Sequence, residues 1–221
     1  MAHLSDYLFY ILPIASAIPF LASLTIFLQP TSERYLRHFS LFLFVNCLID
    51  TATDISAMHQ INNLFLVNLQ SMVVLSFQIY LVRAIVNGRK AKKVFLYFLL
   101  VYLLLSLANF FLVQKTIVFN TMTYGLGCLL IVSACIYYFW ELFQSRYSVS
   151  LLRQPPFWIC SGLLFYYTCS FPLQSLQNFI HALPNVILQN LLIIFILLNC
   201  FLYLSFTIAY LCRLKTRKSM P

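Results

Sequence analysis

Asn46, Asp50 and Asp54 stand four residues apart in an otherwise apolar stretch, with Thr51 and Thr53 beside them. On a helix this spacing puts the three side chains along one slowly drifting face. Phe44, Val45, Leu48, Ala52 and Ile55 fill much of the rest. A carboxylate at the centre of a membrane helix costs at least about 2.5 kcal/mol. Two acidic side chains on one face therefore point into a bundle or a wet cavity, not into lipid. No Lys or Arg lies deep in any apolar stretch to neutralise them. A proton or a bound cation would have to do so, which suits proton-linked or cation-linked chemistry as well as a silent structural role.

Other apolar stretches carry polar residues of their own. Asn68, Ser71 and Gln78 share a helix face in the third, and Asn109 follows Ser106 in the fourth. Thr121, Thr123, Tyr124 and Ser133 mark the fifth, Thr168, Gln174 and Gln177 the sixth, and Gln189, Asn190, Asn199 and Ser205 the seventh. The candidate cleft is Asn46, Asp50, Asp54, Asn68, Ser71, Gln78, Asn109, Gln174 and Asn199. Two readings stay open: these groups line a cleft for a ligand or ion, or they are interhelical hydrogen bonds, which contribute about 0.6 kcal/mol each in membrane bundles. Pro172 interrupts the sixth stretch and removes a backbone donor, so it is a candidate hinge or a static kink.

The elements that must position these residues follow from composition. Of 221 residues, 62% are hydrophobic and 9% charged, against roughly a quarter charged in soluble domains. Mean hydropathy is +0.88. A membrane helix needs about 20 apolar residues, so seven spans and short loops use up the chain. The expected spans are 7–28, 39–58, 64–86, 94–114, 117–143, 157–176 and 188–212, forming one domain over residues 1–221. The runs are continuous rather than alternating, so an all-α seven-helix transmembrane bundle is expected in place of a barrel. Trp140 and Trp158 flank one loop as interfacial anchors, and Gln154–Pro155–Pro156–Phe157 reads as a helix start.

Orientation comes from the basic residues. Arg34 and Arg37 fall in the first loop, Arg83, Arg89, Lys90, Lys92 and Lys93 at the third, Arg146 and Arg153 in the fifth, and Arg213, Lys215, Arg217 and Lys218 in the tail. Lys115 alone falls on the other side. Seven spans with the N-terminus outside and the C-terminus cytoplasmic account for this split. The net charge of +9 is then a topology signal beside anionic lipid heads, and nucleic-acid binding is not expected. The first span lacks a basic region before it and reads as a retained helix.

Several chemistries fail. The last span has no lysine for a retinal Schiff base. Both membrane aspartates lie on one stretch, unlike the facing pair of an intramembrane aspartyl protease. No HExxH motif or Gly-rich phosphate loop occurs. The seven cysteines form no CxxC pair and suggest no disulfide framework, and His3, His38, His59 and His181 all lie near helix ends. No enzyme, cofactor or metal is expected.

Tyr124–Gly125–Leu126–Gly127–Cys128–Leu129–Leu130–Ile131–Val132, Tyr137–Tyr138–Phe139–Trp140–Glu141–Leu142 and Pro156–Phe157–Trp158–Ile159 carry a family likeness. So do Gly162–Leu163–Leu164–Phe165–Tyr166, Phe171–Pro172 and Phe206–Thr207–Ile208–Ala209–Tyr210–Leu211–Cys212–Arg213. The chain resembles a family of small, uncharacterised seven-span proteins of Bacteroidota bacteria, most densely in the last three spans. The resemblance implies an inner-membrane location and implies no activity. Size and architecture also resemble the seven-helix sensor modules of bacterial signalling proteins, a likeness of fold that does not carry function.

The expected function is a multi-pass inner-membrane receptor-like or sensor module with an outward polar cleft. With a tail of about nine residues beyond the last span, output would pass through a separate membrane or cytoplasmic signalling partner, such as a histidine kinase. The alternatives are a proton- or cation-coupled carrier of a small solute using Asp50 and Asp54, and a structural membrane subunit.

Overall fold

The computed structural model describes residues 2–27, 34–59, 62–113, 118–144, 151–176 and 184–217. Lys115, Arg146, Gln177, His181 and Lys218 lie outside them, as do the side chains of His3, Arg213, Lys215 and Arg217. Every regular element among the described residues is helical: α1 (Ala2–Ser23), α2 (Arg34–Met58), α3 (Leu64–Ile85), α4 (Arg89–Ala108), α5 (Thr121–Gln144), α6 (Pro155–Ser175) and α7 (Asn185–Arg217). Short 3₁₀ turns cover Leu24–Ile26 and Leu151–Arg153, and a π-helical turn extends α4 through Asn109–Val113.

Five helical stretches are long and apolar enough to cross a membrane: Arg34–Ser56, Leu64–Ile85, Arg89–Leu112, Thr121–Gln144 and Val186–Cys212. A shorter apolar stretch, Pro13–Ile26, lies at the end of α1. α6 is not among the five. Its 21 residues include Thr168, Ser170, Pro172 and Gln174, which lower its mean hydropathy, and it buries Tyr166, Tyr167 and Ser170 within the bundle.

α1, α2, α3, α5, α6 and α7 form a ring in which each packs against the next and α7 closes on α1. α4 stands outside the ring against α3 and α5. Its outer face, including Tyr97, Leu104 and Leu112, is exposed. In lipid such a face loses nothing by exposure, since the bilayer is as apolar as the side chains. Helix association then rests on close packing and hydrogen bonds.

Contacts between helix ends identify two poles. His38 Nδ1 meets the Tyr80 hydroxyl at 3.0 Å, and the Tyr210 hydroxyl donates to the Leu36 carbonyl at 3.3 Å. The Asn87 N–H donates to Glu141 Oε2 at 3.0 Å, and the Cys212 thiol to the Leu152 carbonyl at 3.2 Å. One pole therefore gathers the start of α2, α4 and α6 with the end of α3, α5 and α7. The described basic side chains Arg34, Arg37, Arg83, Arg89, Lys90, Lys92, Lys93 and Arg153 belong to this basic pole. At the opposite pole the end of α2 meets the start of α3, where Asn63 Nδ2 donates to the Thr53 carbonyl at 3.2 Å.

An aromatic cluster lies toward the basic pole. Phe42 and Phe77 stack at 4.0 Å with an interplanar angle of 3°. Phe39 meets Phe206 edge-on at 4.8 Å and stacks on Tyr210 at 5.7 Å. Such pairs contribute about 0.5–1.5 kcal/mol beyond area burial. α6 and α7 touch at Gly162, where an added Cβ would stand 2.7 Å from Ser205 Cβ.

Boundaries differ from the sequence expectation at most helices: α1, α2, α4 and α7 begin at Ala2, Arg34, Arg89 and Asn185 rather than at 7, 39, 94 and 188, and α7 runs on to Arg217, because helices continue past the apolar run that marks a span. α5 begins at Thr121, not Ile117. The Asn120 N–H donates to Asn68 Oδ1 at 3.0 Å, and Asn68 Nδ2 donates to the Val118 carbonyl at 2.9 Å. Those backbone groups are satisfied from α3, so residues 118–120 need no helix. α6 begins at Pro155, two residues before the expected Phe157, with prolines in its first turn where a missing N–H costs nothing.

Candidate functional site

A cavity of about 620 Å³ lies between α2, α3, α5, α6 and α7. Its lining comes from residues 42–54 of α2, 67–78 of α3, 166–176 at the end of α6 and 188–206 of α7, with Phe119 and Tyr124 at the start of α5. It therefore occupies the half of the bundle away from the basic pole. Phe42 and Phe206 form its floor, backed by the aromatic cluster with Phe39, Phe77 and Tyr210.

Seven of the nine sequence-predicted cleft residues line this cavity: Asn46, Asp50, Asp54, Ser71, Gln78, Gln174 and Asn199. Asn68 and Asn109 do not. Asn68 is 1% exposed and holds the 118–120 segment. Asn109 is buried at the end of α4, outside the ring, and donates to Thr123 Oγ1 at 3.5 Å. Both fit the interhelical reading. Pro172 is exposed and absent from the lining. α6 stays helical through it but ends three residues later at Ser175, so less than one helical turn follows it within α6.

Asp50 is the most connected polar side chain of the cavity among the described residues. Gln70 Nε2 donates to its Oδ1 and reaches Asn46 Oδ1 at 3.5 Å. Asn46 Nδ2 donates to Asp50 Oδ2 at 2.8 Å, one helical turn away as the four-residue spacing requires. The Tyr203 hydroxyl approaches the same Oδ2 at 3.4 Å. Three helices thus converge on one carboxyl. Asp54, half-buried one turn further from the floor, accepts no hydrogen bond among the described residues.

Gln70 and Tyr203 were missed by the sequence reading. Gln70 lies about 100° around the helix from Ser71, off the Asn68–Ser71–Gln78 face. Tyr203 had a usable signal: it follows Asn199 by four residues and so shares its face.

Two side-chain acceptors in the lining have no partner among the described residues: Gln78 Oε1 and Gln174 Oε1. Gln78 is 3% exposed, so its orphaned oxygen is a buried cost of about 1–3 kcal/mol. No Lys, Arg or His lines the cavity among the described residues, and no group of three His, Cys, Asp or Glu there could hold a metal ion. The arrangement is an apolar chamber with a polar strip that carries two carboxyls. It can hold a small molecule, orient it by hydrogen bonds and stabilise positive charge.

Comparisons with protein families, curated proteins and solved structures give no match.

Proposed function

We propose that the chain is a receptor-like sensor module of the bacterial inner membrane, as its resemblance to the small seven-span proteins of Bacteroidota suggests. All seven helices cross the bilayer, with the N-terminus outside and the C-terminus in the cytoplasm. The cavity receives a small ligand from the outer side, and a separate membrane or cytoplasmic partner carries the signal onward.

One observation carries this reading: the cavity lies away from the basic pole and is backed toward that pole by the Phe39–Phe42–Phe77–Phe206–Tyr210 cluster. Basic residues favour the cytoplasmic side, so a chamber with this polarity faces outward. Its volume falls within the usual range for small-molecule sites, about 300–1,000 Å³. The aromatic floor favours reception over passage. α7 runs from the cavity lining to the basic pole, giving a bound ligand a mechanical route inward.

The test is purification from native membranes in mild detergent, with mass spectrometry of bound proteins and small molecules. Stoichiometric recovery of a signalling protein supports the reading. A catabolic enzyme or a solute-binding protein in its place contradicts it.

A second reading has its own observation. Asp50 and Asp54 face one cavity without a cationic neighbour among the described residues, as a proton- or cation-coupled carrier would need. Solute uptake by proteoliposomes driven by a proton or sodium gradient would favour it.

A further inference from the structure

We propose that the outer face of α4 binds one anionic diacyl phospholipid, with the headgroup phosphate at Arg89, Lys90 and Lys93 and the chains along Tyr97, Val101 and Leu104.

Charge sets the headgroup end. Arg89, Lys90, Lys92 and Lys93 crowd into the start of α4, and none of them has an ion-pair partner among the described residues. Arg89, Lys90 and Lys93 are exposed. Arg83 adds a further cation: its Nε donates to the Lys92 carbonyl at 3.0 Å and so ties the end of α3 to this turn. Beside them Glu141 Oε2 accepts the Asn87 N–H at 3.0 Å, so that carboxylate serves the backbone. Basic residues are expected on this side of the membrane, but a helix dipole opposes positive charge at the first turn. A bound phosphate supplies the negative charge that the turn lacks.

Periodicity sets the chain end. Lys90, Lys93, Tyr97, Val101 and Leu104 follow one another at steps of three or four residues, so they share one helix face. That face turns away from the ring: Tyr97 is 65% and Leu104 68% exposed. From Lys93 to Leu104 is eleven residues, or roughly 16 Å at 1.5 Å per residue. One leaflet of hydrocarbon is about 15 Å thick. A lipid with its phosphate at the lysines therefore ends its chains near Leu104. An acidic peptide would meet the cations and leave this apolar stripe uncovered.

Interfacial aromatics put the cations at headgroup level. A Cβ at Gly88 would stand 3.2 Å from the Tyr137 hydroxyl. Tyr137 in turn lies 5.5 Å from the ring of Trp140, an exposed indole of the kind that anchors at the membrane surface.

The experiment uses the full chain in detergent, stripped of lipid and titrated with three probes. They are phosphatidylglycerol, phosphatidylcholine with the same chains, and glycerol 3-phosphate. Binding is read by native mass spectrometry and by the shift in unfolding temperature. One phosphatidylglycerol is expected to bind about tenfold tighter than phosphatidylcholine and to raise the unfolding temperature, whereas glycerol 3-phosphate at the same concentration does neither. Lys90→Gln with Lys93→Gln should abolish the preference without lowering the lipid-free unfolding temperature. Arg34→Gln with Arg153→Gln removes equal charge from the same pole on other elements and should keep the preference. Lys93→Gln alone should weaken it several-fold, and so covers a double variant that fails to fold.

Equal binding of the two lipids would overturn the proposal. So would a preference lost equally in both double variants, which would mean a diffuse field, or glycerol 3-phosphate binding as tightly as phosphatidylglycerol, which would mean an anion site without a lipid face. None of these outcomes depends on the cavity or on which side of the membrane the basic pole faces.

Discussion

The Tyr203 hydroxyl on α7 reaches Asp50 Oδ2 on α2 at 3.4 Å, across 153 positions of the chain. Gln70 brings α3 to the same carboxyl, so three helices of the ring share one acceptor. Two turns further along α7, Tyr210 donates to the Leu36 carbonyl at the basic pole. A group that engages Asp50 therefore acts on a helix whose other end is anchored on the opposite side of the bundle.

Asp50 should tolerate loss of charge better than loss of polarity. Asp50→Asn keeps the shape and an acceptor, and the Asn46 and Gln70 amides can turn to meet its new donor. Expression and unfolding temperature should stay near wild type. Asp50→Leu leaves part-buried donors on Asn46, Gln70 and Tyr203 unpartnered and should cost about 1–3 kcal/mol. Thermal unfolding in detergent separates the two, and equal losses would mean that the network contributes nothing specific.

Asn68 is expected to matter for folding rather than for ligand response. Its side chain answers both the Val118 carbonyl and the Asn120 N–H. Asn68→Ala orphans both backbone groups and should destabilise by about 2–4 kcal/mol. Asn68→Asp keeps the acceptor alone and should fall between. An unfolding temperature unchanged in Asn68→Ala would show that the clasp does not form.

Close approach of α6 and α7 at Gly162 predicts a reciprocal effect. Gly162→Ala pushes its Cβ to 2.7 Å from Ser205 Cβ and should destabilise by about 1–3 kcal/mol. Ser205→Gly in the same chain should recover most of that loss, because it removes the opposing atom. Purely additive effects would contradict the contact.

The sequence was informative where periodicity and chemistry coincide. The four-residue spacing of Asn46, Asp50 and Asp54 placed them on one face, and all three line the cavity. Asn68 was grouped with them because a polar residue in an apolar helix needs a partner. Nothing in the sequence says that the partner is backbone fifty residues away. The same bonds explain the late start of α5, since Val118 and Phe119 look helical by composition while the Val118 carbonyl and the Asn120 N–H are met by the Asn68 side chain. Tyr203 was hidden because tyrosine counts as apolar when spans are drawn. Gln70 was hidden because a cavity is wider than one helix face.

Topology is expected to follow the basic residues. Reporter fusions after Gly88 and at the C-terminus should both score cytoplasmic, and a fusion after Asn62 periplasmic. A periplasmic score for the C-terminal fusion would remove the seven-span topology.

Access to the cavity from the outer side is tested most directly at Ser71, a partly buried residue in its lining. Ser71→Cys is expressed in intact cells and exposed to a membrane-impermeant maleimide, with the wild-type chain and its seven native cysteines as the background. Labelling above wild type in intact cells is the expected result, with little further gain when the membrane is opened. Labelling that requires the membrane to be opened would contradict an outward-facing cavity.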